Sequence, residues 1–102
     1  MYLIHALLSG DGHAALPPDT AALVMQSAQP EDGLQHVVVH ADASPGPVLG
    51  LLLLAPSLES SELAAQTIIR RALQTHDSLR GYTLVSCGAA MPAPYYNRLL
   101  EH

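Results

Sequence analysis

Residues 48–55, Val-Leu-Gly-Leu-Leu-Leu-Leu-Ala, form an uninterrupted apolar run. A strand with one wet face alternates apolar and polar residues, whereas a continuous apolar run indicates burial on both faces. A chain of 102 residues folds as one domain and has little material with which to cover both faces of a sheet. We therefore expect a partner on one face, most simply a second copy of the chain.

The composition narrows the possible functions. Hydrophobic residues make up 49% of the chain and charged residues 13%, which excludes a disordered protein and predicts an exposed apolar surface. Lys and Arg together number four against nine acidic residues, and the chain has no Phe or Trp. Because nucleic-acid binding normally requires a basic patch and aromatic platforms for the bases, we expect no nucleic-acid partner.

The chain ends and the single cysteine, Cys87, bear on location. One cysteine cannot form an internal disulfide, and the N-terminus lacks the basic region that precedes the apolar segment of a signal peptide. The longest apolar run falls far short of the roughly 20 residues that cross a bilayer as a helix. We expect a cytoplasmic protein with no membrane association. We interpret Leu-Glu-His at 100–102 as an expression-tag remnant, which leaves 1–99 as a single domain.

The first half of the chain predicts a strand, a helix and a second strand. Residues 2–8 form a short apolar segment that ends in a Gly-rich turn. Pro17-Pro18-Asp19 is typical of a helix start, and Pro30 ends that helix. The β-branched residues 37–39 favour a strand over 34–41. The turn at 43–47 is too short for a crossover helix, so this strand and the apolar run should form an antiparallel hairpin.

The second half predicts one more helix and one more strand. Ser60, Ser61 and Glu62 are suitable capping residues for a helix that extends to Gln74 with one apolar stripe. Residues 82–87 form the last strand, before a tail rich in proline. The order β-α-β-β-α-β is the ferredoxin-like α+β arrangement, a four-stranded antiparallel sheet of strand order 4-1-3-2 with both helices on one face. The open face, or a strand edge, should then form a homodimer.

Histidines and one tyrosine are the weak candidates for catalysis: His5, His36, His40 and Tyr82. On the open face, a histidine could serve as acid, base or pH sensor, with Asp42 near enough to orient it. The plain alternative is that these histidines are structural. His36 and His40 lie about 13 Å apart along their strand, and another strand separates them from His5, so we predict neither a metal site nor a cofactor.

Three other motifs have plain structural explanations. Gly10 to Ala15 matches G-x-G-x-x-A after a strand, but the following prolines and the hairpin topology oppose a dinucleotide site, and a flexible loop explains the glycines. Cys87 could be a nucleophile, yet no base lies nearby in sequence, so it is interpreted as a small core residue. His76 suits the C-terminus of a helix.

The function is expected to reside on the surface that the apolar run helps to form. We predict a small non-catalytic dimeric accessory or regulatory module that binds a protein or a small apolar ligand. The alternative is a small cofactor-independent enzyme of the dimeric α+β-barrel type, with histidine and tyrosine acid-base groups in an apolar pocket. The tail at 91–98 is suited to docking on its own sheet, across the dimer or on another protein. The predicted ligand or interface residues are Val38, Leu49, Leu51, Leu53, Tyr95 and Tyr96.

Overall fold

The structure, a computed structural model, describes residues 1–10, 16–43 and 45–89. Two helices and four strands follow one another as strand, helix, strand, strand, helix, strand, with a 3-10 turn at Pro30–Asp32 and another at Asp77–Leu79. The α+β class is therefore confirmed. The elements are β1 (Tyr2–Gly10), α1 (Thr20–Ser27), β2 (Leu34–His40), β3 (Val48–Leu53), α2 (Leu58–Thr75) and β4 (Tyr82–Gly88).

The four strands form one sheet in the order β2-β3-β1-β4, and every neighbouring pair is antiparallel. Read from the β4 edge, the same order is β4-β1-β3-β2. The apolar run therefore supplies a central strand, and the expected antiparallel hairpin between β2 and β3 is confirmed. Strands β2 and β4 form the two edges of the sheet.

Both helices cover one face of the sheet. They contact each other, α1 packs on β2, and α2 packs on β1 and β4. The pairing register aligns Ile4, Leu51 and Val37 on the covered face, and all three are buried. The largest part of the core is made by the sheet residues on this face and the apolar stripe of α2, which consists of Ala65, Ile68, Ile69 and Ala72.

The second helix begins earlier than the predicted cap at Ser60 to Glu62. Ser57 is the N-cap, since its Oγ accepts a hydrogen bond from the backbone N–H of Ser60 at 3.1 Å. In return, the backbone N–H of Ser57 donates to Oγ of Ser60 at 3.2 Å. A serine thus takes the place of the usual Glu or Gln in a capping box, and the helix gains part of a turn at its start.

Arg71 ties the two helices to the turn that precedes β2. Its guanidinium donates to the backbone carbonyl of Ser27 at the end of α1 and to Oδ2 of Asp32 at 3.3 Å. Gly33 follows Asp32 with a φ of 75°, where a side chain would also collide with the carbonyl oxygen of Leu54. The turn before β2 is therefore held by the Arg71 contacts and by the left-handed backbone of Gly33.

Candidate functional site

The face of the sheet opposite the helices is called the open face below. Nine of its residues form three rows across β1, β3 and β2, and β4 adds Ser86, which pairs with Leu7. Residues paired across neighbouring antiparallel strands point to the same side of a sheet, so the pairing register identifies each row. None of the nine residues is Asp, Glu, Lys or Arg. The rows are Leu3, Leu52 and His36; His5, Gly50 and Val38; and Leu7, Val48 and His40.

Burial varies across the open face. Val48 is fully buried and His5 is only 6% exposed, whereas Leu3 and Val38 are 43% and 41% exposed. Part of the second side of the apolar run is therefore covered within one chain. Leu3 and Val38 remain as apolar side chains that project from the sheet.

Gly50 lies at the centre of the open face, close to the side chains of Leu3 and His5. A Cβ built at Gly50 would lie 3.6 Å from Cδ1 of Leu3 and 3.9 Å from Cδ2 of His5, which are ordinary contact distances. The single glycine within the apolar run is thus the position where the His5 ring approaches the sheet. It is also the sequence signal that could have identified His5 as a central residue.

Burial lowers the pKa of His5 below its usual value, and the nearby charge of His40 lowers it further. His5 is therefore uncharged at neutral pH. His40 lies on the same face, beyond the intervening β3, and His36 is exposed one row away from Val38. Asp42, the carboxylate expected to orient a histidine, lies in an exposed turn after β2. The open face thus contains imidazoles but no carboxylate among the nine residues of its three rows.

Tyr82 lies on the face covered by the helices, so the structure does not bring it together with the histidines. It pairs with Gly10, and its ring lies over that glycine, where a Cβ would be 2.7 Å from Cε1 of the ring. The register between β1 and β4 shifts at Leu7 and Leu8. This bulge adds one residue to β4, so Cys87 and Tyr82 face the same side although their numbers differ by five.

The interface residues predicted on β3 belong to the core. Leu49, Leu51 and Leu53 lie beneath the helices and are almost completely buried, so the accessible side of this strand is formed by its other residues. Val38 does lie on the open face. Tyr95, Tyr96 and the presumed tag residues are outside the described ranges, as is most of the G-x-G-x-x-A motif, of which Gly10 is a residue of β1.

Cys87 does not have the properties of a nucleophile. Burial raises the pKa of its thiol to about 11, with a further contribution from the negative charge of Glu62. The thiol is therefore protonated at neutral pH, and the thiolate is the reactive form. His76 is the C-cap of α2, where its backbone N–H donates to the carbonyl of Ala72 at 3.1 Å.

A second site lies on the helix side, between the C-terminal half of α2 and the start of β4. This arginine groove has a volume of about 300 Å³. Sequence analysis missed it because its two basic residues are ten positions apart and come from different elements. The groove is lined by Arg70, Leu73, Gln74, Arg80, Tyr82, Thr83 and Leu84.

Comparison of the chain with protein-family models, with curated proteins and with solved structures finds no match. Within the described ranges, no three His, Cys, Asp or Glu side chains are grouped so that they could hold a metal ion. Neither helix of the described part is long and apolar enough to cross a membrane. The open face and the arginine groove are therefore the two regions from which a function can be argued.

Proposed function

We propose that the chain is a ferredoxin-like domain that acts as a non-catalytic homodimeric module, an accessory or regulatory protein of the cytoplasm that binds a protein or a small ligand. The strand order β4-β1-β3-β2, with both helices on one face, supports the ferredoxin-like assignment. In this proposal the open face is the subunit interface.

The composition of the open face is the observation that carries the proposal. The chain has a net charge of −5, yet the nine residues that β1, β3 and β2 contribute to the open face include no Asp, Glu, Lys or Arg. Two copies can therefore approach through these residues without burying a carboxylate or a guanidinium group, which would be costly. Leu3 and Val38 would insert between the two sheets, which pack about 10 Å apart when they meet face to face.

The second candidate is a small cofactor-independent enzyme, and the observation that favours it is the central position of His5. A neutral imidazole at the base of an apolar face is suited to accept a proton from a bound molecule. However, Tyr82 is on the opposite side of the sheet, and the nine residues of β1, β3 and β2 on the open face include no carboxylate to orient the ring. The non-catalytic module is therefore the better supported function.

The oligomeric state tests the proposal directly. Wild-type protein should sediment as a dimer at micromolar concentration, and Val38→Glu should sediment as a monomer because two carboxylates would be buried in the interface. Leu63→Glu is the matched control, since Leu63 is an exposed leucine of α2 with 58% of its surface accessible. A wild-type monomer, or equal dissociation of both variants, would contradict the proposed interface.

A crystal structure of the dimer separates the two candidates. A filled interface without a cavity at His5 and His40 is expected for the non-catalytic module. An enclosed apolar pocket of several hundred Å³, with the histidine rings at its wall, would instead favour the enzyme.

A further inference from the structure

We infer that the arginine groove binds a small organic acid, in which a carboxylate is attached to an apolar body. The groove lies on the helix side of the sheet, whereas the proposed dimer interface lies on the open face. This inference therefore does not depend on dimerisation.

The distribution of basic residues indicates an anion site. The chain has four basic residues, all arginines, against nine acidic residues. Arg71 is engaged with Ser27 and Asp32, and Arg98 is outside the described ranges. The remaining two, Arg70 and Arg80, both line one groove. A guanidinium group presents a planar set of donors that matches the two oxygens of a carboxylate.

Both guanidinium groups are available to a ligand. Arg80 forms an ion pair with Asp77, whose Oδ1 lies 3.0 Å from Nε, but the two side chains are 66% and 88% exposed. Such exposed pairs contribute little free energy and can exchange for another carboxylate. Arg70 is exposed on α2 and forms no ion pair with any described residue. Among the described residues, an incoming carboxylate would thus meet one cation that forms no ion pair and one that is weakly paired.

The rest of the lining favours an apolar body over a bare ion. Leu73 and Leu84 are half-buried, and the buried Tyr82 contributes the third apolar wall. Gln74 supplies a neutral hydrogen-bonding group. A volume of about 300 Å³ is at the lower end of the range for small-molecule sites.

The test is a titration of the full chain with three ligands: hexanoate, its neutral analogue hexanamide, and inorganic phosphate. Binding is monitored through the backbone amide signals in nuclear magnetic resonance spectra. Hexanoate should shift the amides of residues 70–74 and 80–84 and bind about tenfold more tightly than hexanamide, because it adds charge-assisted hydrogen bonds. Equal affinity for the acid and the amide would overturn the inference. Equal affinity for phosphate and hexanoate would show an adventitious anion only.

Variants separate a specific site from the overall charge of the protein. Arg70→Gln should weaken hexanoate binding about tenfold while leaving the oligomeric state unchanged. Gln26→Glu, at an exposed position of α1, changes the net charge by the same amount and should leave the affinity unchanged. If both variants weaken binding equally, long-range charge accounts for the effect and the groove is not the site.

Discussion

Both faces of the sheet have aliphatic side chains, but these side chains have different surroundings. On the helix side, Ile4, Leu49 and Leu51 are almost completely buried. On the open side, the side chains of Leu3 and Val38 are partly exposed to solvent, although Leu3 is next to Ile4 on β1 and Val38 lies on β2, the strand beside β3. An apolar run therefore indicates that both faces of a strand are apolar. Only the structure shows which of the two faces is covered by other parts of the same chain.

Neighbouring leucines of β3 provide the largest expected contrast between the two faces. Leu51→Ala should lower the free energy of unfolding by about 3 kcal/mol, because it leaves a cavity beneath the helices. Leu52→Ala, on the open face, should cost less than about 1 kcal/mol in the monomer. Urea denaturation measures both values, and low protein concentration limits any contribution from a dimer.

An equal loss in the two leucine variants would remove the distinction between the faces. It would mean that Leu52 is packed as tightly as the core within one chain. A loss for Leu52→Ala that grows with protein concentration would instead indicate that a second copy covers the open face, since subunit association stabilises the folded state by mass action.

The centre of the open face should respond to acid through His5. Because burial holds its pKa in the folded protein below the usual value of 6.5, the unfolded chain takes up a proton that the folded chain does not. The free energy of unfolding should therefore fall as the pH is lowered through 6.5 towards the folded pKa. The slope for one proton is at most about 1.4 kcal/mol per pH unit.

Denaturation curves of histidine variants show which side chain causes this acid sensitivity. They are measured from pH 7.5 to pH 5, a range that includes the ordinary histidine pKa of about 6.5. His5→Gln should flatten the slope. His76→Gln, at the end of α2, should retain it. If both variants behave as the wild type, the acid response does not arise at the open face.

The smallest expected effect is a change in the rate at which Cys87, on the helix side of the sheet, is alkylated. With a thiol pKa raised to about 11, the rate of reaction with iodoacetamide should keep rising between pH 7 and pH 9 without levelling off. Glu62→Gln should increase the rate, because it removes a negative charge that disfavours the thiolate. Glu59→Gln, in the first turn of α2, is the matched control. A plateau near pH 8.5 would indicate an ordinary, accessible thiol.

Local patterns predicted the elements well because each has its own chemical signal. The β-branched residues at 37–39 and the stripe of α2 lie within the expected elements, and the apolar run forms a strand over 48–53, with Leu54 and Ala55 beyond its end. The placement of Tyr82 could not be predicted, since it depends on one extra residue in β4. The presence of Arg70 and Arg80 in one groove depends on how the end of α2 meets the start of β4, which no local pattern describes.

The residues at positions 10 and 82 limit each other's size. Any side chain at position 10 would occupy the space of the Tyr82 ring, and that ring is buried and cannot swing into solvent without exposing the core beside it. A larger residue at position 10 thus requires a smaller one at position 82, and the two changes must occur together. We expect any relative of this chain with a side chain at position 10 to have lost the tyrosine, and with it one wall of the arginine groove.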